Sequence, residues 1–133
     1  MAAIIPPQMA DLLTGKALAN LATVGPTGFP LVTPVWVDRE GELILVNSAQ
    51  GRRKDRNVQQ NAKVALAVVD PANPYRYLGV QGTVVEVRSA GADEHLDRLA
   101  QRYLGQPKYP WRRPGEQREI LVIRPTRVRA MGG

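Results

Sequence analysis

Ala17-Leu18-Ala19-Asn20-Leu21-Ala22-Thr23-Val24, Gly25-Pro26-Thr27-Gly28 and Leu31-Val32-Thr33-Pro34-Val35-Trp36-Val37-Asp38 form the stretch on which the fold turns. From Ala17 to Val24, alternate positions put Leu18, Ala22 and Val24 on one face and Ala19, Leu21 and Thr23 on the other, the period of two expected of a strand. Gly25 to Gly28 carries turn chemistry, so Leu31 to Asp38 returns as the second arm of a hairpin. Arg39-Glu40-Gly41-Glu42 then leads into Leu43-Ile44-Leu45-Val46, a nearly continuous apolar run. Three consecutive antiparallel strands are the expectation.

The rest of the chain fits around them. Pro6-Pro7 opens a short amphipathic helix over Gln8 to Leu13 that stops before Gly15 and covers the core. Gly51 to Asn61 is polar almost throughout and predicts a helix with little buried face, followed by a strand over Lys63 to Val69. Asp70-Pro71-Ala72-Asn73-Pro74 breaks that strand, and Tyr77 to Arg88 forms another, in which Gly79 and Gly82 mark a bulge or a close approach to the backbone. Ser89 is the expected cap of a helix carrying Ala92, Leu96, Leu99, Ala100, Tyr103 and Leu104 at helical spacing, with Gly105 as its stop. Gln106 to Gly115 is a loop with three prolines, and Glu119 to Ile123 with Val128 supplies the last strand. Five or six short strands and two or three helices, joined early by tight hairpins, predict a mainly β chain: a closed or partly closed antiparallel barrel, not a parallel sheet. A single domain over 1–133 is expected.

Composition removes several function classes. The 133 residues contain no cysteine and one histidine, which excludes disulfides, thiolate metal sites, iron–sulfur clusters, cysteine nucleophiles and multi-histidine metal sites. No metal site is expected. No apolar run approaches the ~20 residues needed to cross a bilayer, and Met1 to Pro7 lacks the basic and apolar regions of a secretory signal, so a cytoplasmic protein without a membrane partner is expected. Eighteen Lys and Arg against twelve Asp and Glu leave a formal charge of +6 and a pI near 10.2, which suits an anionic partner. Fourteen of the cations are arginine, suited to phosphate and carboxylate, although GC-rich coding gives the same bias.

The cations concentrate at Arg52-Arg53-Lys54-Asp55-Arg56-Asn57, where a helix begins. A helix N-terminus disfavours positive charge, so this crowding makes sense when an anion such as phosphate sits against the free backbone N–H groups, although a solvated surface helix fits the same residues. Val46-Asn47-Ser48-Ala49-Gln50-Gly51 leads into the turn with small polar side chains and flexible backbone. Pro34 removes a ladder donor from its strand, either as an ordinary edge residue or as an irregularity against which a planar ring lies, with Trp36 as a wall. A small barrel fills its interior with side chains, so a sizeable ligand belongs outside it, where two subunits meet.

Thr33-Pro34-Val35-Trp36, Leu45-Val46-Asn47-Ser48, Gly51 to Asn57, Asn61-Ala62-Lys63-Val64-Ala65-Leu66 and Val80-Gln81-Gly82-Thr83-Val84 in this order resemble the pyridoxamine 5'-phosphate oxidase-like split β-barrel superfamily, an FMN-binding-like fold. Asp70 to Tyr77 and Tyr109-Pro110-Trp111-Arg112-Arg113-Pro114-Gly115-Glu116 are similar to its flavin/deazaflavin oxidoreductase branch that uses coenzyme F420. The resemblance covers roughly residues 8 to 129. It implies a split antiparallel β-barrel with two or three short peripheral helices, a homodimer, and a cofactor groove at the subunit interface. It also implies that Arg52 and Lys54, with Arg53 or Arg56 in support, hold the cofactor phosphate; that Thr33, Pro34 and Val35 lie along the isoalloxazine-type ring; and that Asn47 and Ser48 stand near the phosphate linker. Trp36, Tyr75, Tyr77 and Trp111 are its substrate-side candidates, in part from the other subunit. Lacking the C-terminal substrate segment of true pyridoxamine phosphate oxidases, the chain is not expected to act on their substrate.

The cofactor implied is F420, with FMN as the alternative, and the reaction implied is hydride transfer to a small organic electrophile. Lys108, Arg112 and Arg113 are expected to extend the basic track along the F420 tail. His95, among Asp93, Glu94, Asp97 and Arg98, reads as solvent-exposed and receives no role; Asp93, Glu94 and Glu116 read as solvated charges. No carboxylate pair is recognisable as an acid/base couple. Two other classes fit the same features: a non-catalytic binder of FMN, haem or a tetrapyrrole, and a basic nucleic-acid-binding barrel, against which the 5% aromatic content and the absence of an RNA- or DNA-binding motif speak.

Overall fold

The computed structural model describes residues 3–132. Seven strands, β1 (Ala19–Val24), β2 (Pro30–Val35), β3 (Asp38–Glu40), β4 (Leu43–Ala49), β5 (Lys63–Asp70), β6 (Asn73–Arg88) and β7 (Arg118–Met131), form one antiparallel sheet in the order β2-β1-β5-β6-β7-β4-β3. The edge strands β2 and β3 are joined only by Trp36 and Val37. Three peptide steps span at most ~11 Å, so the two edges must approach and the sheet must curl on itself. This is the expected mainly β split barrel. The helices are α1 (Asp11–Thr14), α2 (Arg53–Gln60) and α3 (Ala92–Leu104), with a 3₁₀ turn at Pro7–Met9 ahead of α1.

The inward face of β1 is Ala19, Leu21 and Thr23, each 1% exposed or less, while Leu18 on the other face is 48% exposed. Met9, Leu12 and Leu13 close one end of the barrel, although the segment splits into the 3₁₀ turn and a single α turn. Gly82 is a close approach, as expected: an added Cβ would lie 2.7 Å from Ile123 Cγ2 and 2.8 Å from the Arg124 carbonyl oxygen. The ladder slips there, because β6 and β7 pair Gln81 with Arg127 and Gly82 with Pro125, leaving Thr126 as the extra residue.

Several boundaries differ from the sequence reading. The second strand ends at Val35, and Asp38 to Glu40 forms a separate strand on β4, so β2 and β4 are not neighbours. Asn73 and Pro74 belong to β6, and β7 runs unbroken through Pro125 because the bulge absorbs the missing N–H. Gly91, at φ 76°, caps α3 in place of Ser89, which contributes only its backbone carbonyl to Ala92 N. Helix α2 buries a polar face, Lys54, Asp55 and Asn57, beside Val58. The Asn57 amide donates to Thr23 Oγ1 at 3.0 Å, tying α2 to β1. Among the described residues no helix is long and apolar enough to cross a membrane.

Candidate functional site

A cleft of about 290 Å³ opens where β2, the end of β4, the start of α2 and the loop after α3 meet. One wall is Leu18, Pro34, Val35 and Trp36; Leu96 and Leu99 of α3 and the loop residues Tyr109 and Trp111 form the other. Arg52, Lys54, Arg118 and Asn47 stand at its polar end. Of the residues singled out from sequence, the cleft brings together Pro34, Val35, Trp36, Asn47, Arg52, Lys54 and Trp111. Thr33 joins them through the Lys54 ammonium, which donates to its Oγ1 at 3.4 Å.

Other candidates lie elsewhere. Arg53 and Arg56 line a separate depression with Pro26 and Asn57, because positions one and two residues from Lys54 point away from it on a helix. Ser48 is fully buried and its hydroxyl reaches only the Ala49 carbonyl, at 3.4 Å. Tyr75, 80% exposed, and the half-buried Tyr77 stand at the start of β6, outside the cleft of their own chain. The late loop does fold onto the cleft, but Arg112 donates to Asp93 at 2.5 Å and Asp97 at 3.0 Å and so fastens the loop to α3. Lys108 and Arg113 are exposed.

Lys54 is 8% exposed, and among the described residues no carboxylate lies within ion-pair distance of it. Burial, then the charges of Arg52 and Arg118, hold its pKa below the usual lysine value. Glu116, read from sequence as a solvated charge, instead bonds the buried Arg118 and lies 4.0 Å from Arg52. Three cations therefore gather at the polar end of an otherwise apolar and aromatic cleft, where one carboxylate, Glu116, pairs with two of them and none with Lys54. This donor set fits a flat cofactor bearing a phosphate.

Behind the cations runs a chain that sequence reasoning missed. His95 is 1% exposed, not solvated, because it lies on the Ala92–Leu96–Leu99 stripe of α3; helical spacing carried that signal and its charged neighbours obscured it. The Asn47 amide nitrogen donates to the Ala92 carbonyl at 2.8 Å and meets His95 Nδ1 at 3.2 Å. With Nδ1 accepting, Nε2–H donates to Asp38 at 3.0 Å. The Asn47 oxygen is left to accept from Arg118 Nε at 2.9 Å. Burial works against the charge on Asp38, but His95, the Arg39 N–H and Arg102 outweigh it and hold the carboxyl at about 2.

Asp55 and Glu119, also unrecognised from sequence, form a buried carboxyl pair under the basic turn. Burial, then hydrogen bonding to Asp55 and its charge, push Glu119 up to about 8, while Gly51 N–H donates to Asp55 at 2.7 Å. Aromatic residues complete the site: Trp36 stacks on Tyr103 at 5.1 Å, Tyr109 meets Trp36 edge-on, and Trp111 meets Tyr109 edge-on.

The sequence profile described as Pyridoxamine 5'-phosphate oxidase matches residues 5–132. The chain belongs to this family. A solved structure described as an F420 reductase is 34% identical, covers 94% of this chain and 98% of that chain, and superposes with a TM-score of 0.82. HupZ from Group A Streptococcus, 22% identical over 98% of this chain and 97% of its own, has a TM-score of 0.71. A putative pyridoxamine 5'-phosphate oxidase from Listeria innocua, 15% identical over 95% and 96%, has 0.68. These last two show the fold alone. No curated protein sequence matches the chain. The pyridoxamine 5'-phosphate oxidase family binds flavins and includes oxidoreductases, which agrees with an apolar, aromatic cleft that ends in cations.

Proposed function

We propose that this member of the pyridoxamine 5'-phosphate oxidase family is a coenzyme F420-dependent oxidoreductase that acts as a homodimer on a small organic electrophile. The observation that carries the reading is the buried Lys54, without a carboxylate partner among the described residues, beside Arg52 and the Pro34–Trp36 wall. The 34% identity to an F420 reductase supports deazaflavin over flavin. Arg52 and Lys54 would hold the phosphate, Thr33, Pro34 and Val35 would lie along the ring, and Trp36, Tyr109 and Trp111 would keep water from it. The bound reduced cofactor supplies a hydride. Phe29, Val32 and Tyr75, at 79%, 60% and 80% exposure, support an association surface, and a second copy would bring Tyr75 and Tyr77 toward a cleft they do not reach in their own chain. Light scattering at micromolar concentration should report a dimer; a monomer that still binds cofactor tightly defeats that part.

FMN is the second reading, favoured by the family profile itself, since Lys54 and Arg52 satisfy one phosphate without further cations. Titration of the purified protein with F420, FMN and haem, followed by absorbance and fluorescence, separates them. F420, with its carboxylate tail, should bind about tenfold tighter than FMN at about 50 mM salt, and the preference should shrink toward about 500 mM as the exposed cations Lys108 and Arg113 are screened. Equal or better FMN affinity at low salt selects FMN; binding of neither defeats the proposal.

A further inference from the structure

Arg118 is the one cleft cation for which neither the sequence reading nor the phosphate assignment has a use. Its side chain is 4% exposed, it opens β7 opposite Ala49, and it lines the cleft. Nε is fixed by the Asn47 oxygen at 2.9 Å and Nη1 by Glu116, while the Tyr109 ring covers one face with its centroid 5.5 Å from Cζ. The Asn47 amide cannot turn over without setting its NH₂ group against Arg118, because its nitrogen is engaged by the Ala92 carbonyl and His95 Nδ1. The guanidinium is therefore locked in plane, and Nη2 alone has no partner among the described residues. Nη2 is not sealed off from solvent either, since Glu119 Oε2 is the sole buried side-chain atom without a partner among the described residues.

A locked guanidinium with one face covered accepts an anion only in its own plane. An anion that meets it there lies beside Tyr109, among the aromatic residues of the cleft wall, and belongs to the flat part of a bound molecule. A phosphate suits Lys54, a point charge without a planar fork, and the half-exposed Arg52.

We propose that Arg118 Nη2 anchors a planar oxyanion of the bound molecule, set in place by Asn47 and, through it, by His95. The oxyanion is either a carboxylate of the substrate or the ring oxygens of a reduced cofactor; this rests on the cleft being a flavin or deazaflavin site. His95 is thereby a positioning residue, since it fixes the amide that fixes the guanidinium.

The probe is riboflavin, which has the ring and no phosphate, compared with FMN, in wild type, Arg118→Gln, Arg118→Lys and Lys54→Ala. For the ring source, Arg118→Gln should weaken reduced riboflavin at least about tenfold more than oxidised riboflavin, seen as a lowered potential of the bound flavin, and Lys54→Ala should leave riboflavin unchanged. For the carboxylate source, benzoate should perturb the spectrum of the FMN-loaded wild type but not of FMN-loaded Arg118→Gln. Arg118→Lys keeps the charge and loses the fork, so it should recover less than half of either effect; it also serves if Arg118→Gln fails to fold. Loss of FMN binding with riboflavin and benzoate unaffected would make Arg118 a phosphate ligand and overturn the proposal, as would no change in any arm. If wild type binds neither flavins nor F420, the proposed function falls; quenching of Trp36 and Trp111 by benzoate, lost in the Arg118 variants, then decides the anchor by itself.

Discussion

Around Asp38 every charge has a partner, whereas around Lys54 the charges outnumber their partners. Asp38 accepts from His95, from Arg102 at 2.5 Å and from the Arg39 N–H at 2.9 Å, and it is easier to ionise than in water. At the other end of the same cleft wall, Lys54 is harder to charge than in water and Glu119 is held up to about 8. The first cluster favours the charged state and so contributes to folding; the second opposes it and waits for a ligand or a proton. Groups whose ordinary charged form is disfavoured gather where function resides.

The largest break in this contrast comes from pH. Glu119 is raised in the folded chain, so its contribution is fully present below about 4.5 and is lost as pH climbs through about 8. Denaturant melts should show stability falling over that window by about 5 kcal/mol at most, and Glu119→Gln should flatten the slope and be the more stable protein at pH 8. Asp38 runs the other way, its contribution present above its ordinary 3.8 and lost as pH falls toward about 2. A wild-type curve flat from pH 5 to 8 would remove Glu119 from the disfavoured cluster.

Next come two cations that sequence makes look alike. Arg102 donates to the Val37 carbonyl at 2.7 Å, the Leu13 carbonyl at 3.3 Å and Asp38, joining α3 to α1 and to the β2–β3 link. Arg102→Ala should cost about 3 kcal/mol of stability and leave cofactor affinity of the folded protein close to wild type. Lys54→Ala should do the opposite: affinity for a phosphate-bearing cofactor falls at least about tenfold, while stability holds or rises as the repulsion from Arg52 and Arg118 is relieved. Calorimetric binding and thermal melts on both variants check the pair; a Lys54→Ala protein that binds normally defeats the phosphate assignment.

Sequence made the hairpins, the α3 stripe, the Gly82 contact and the basic turn legible because each depends on local spacing or on a residue type with one conformational use. It did not make legible which arginines are functional. Arg52, Arg102, Arg112 and Arg118 differ in what the barrel's closure places against them, across separations in sequence such as the 71 residues between Arg118 and Asn47. His95 was misjudged for a related reason: adjacent acids describe the chain, whereas burial follows the helix face. The Asp55–Glu119 pair had no local signal, since α2 and β7 meet only through the sheet order.

Arg112 gives the smallest effect and the sharpest test of the contrast, because from sequence it belonged to the cofactor track. Its guanidinium spans Asp93 and Asp97, with side chains 33%, 62% and 26% exposed, so each pair is partly solvated and worth ~0.2–1 kcal/mol. Its loss leaves the loop attached at a second point, the Tyr109 N–H bonded to Asp97 at 2.9 Å, and leaves Tyr109 edge-on to Trp36. Arg112→Ala should therefore lower stability by less than about 1 kcal/mol and change F420 or FMN affinity by no more than about twofold. If it weakened F420 as much as Lys54→Ala does, while sparing FMN, the paired arginine would be reaching the cofactor tail after all. Pairing within the protein would then no longer distinguish the charges that fold this chain from those that serve its ligand.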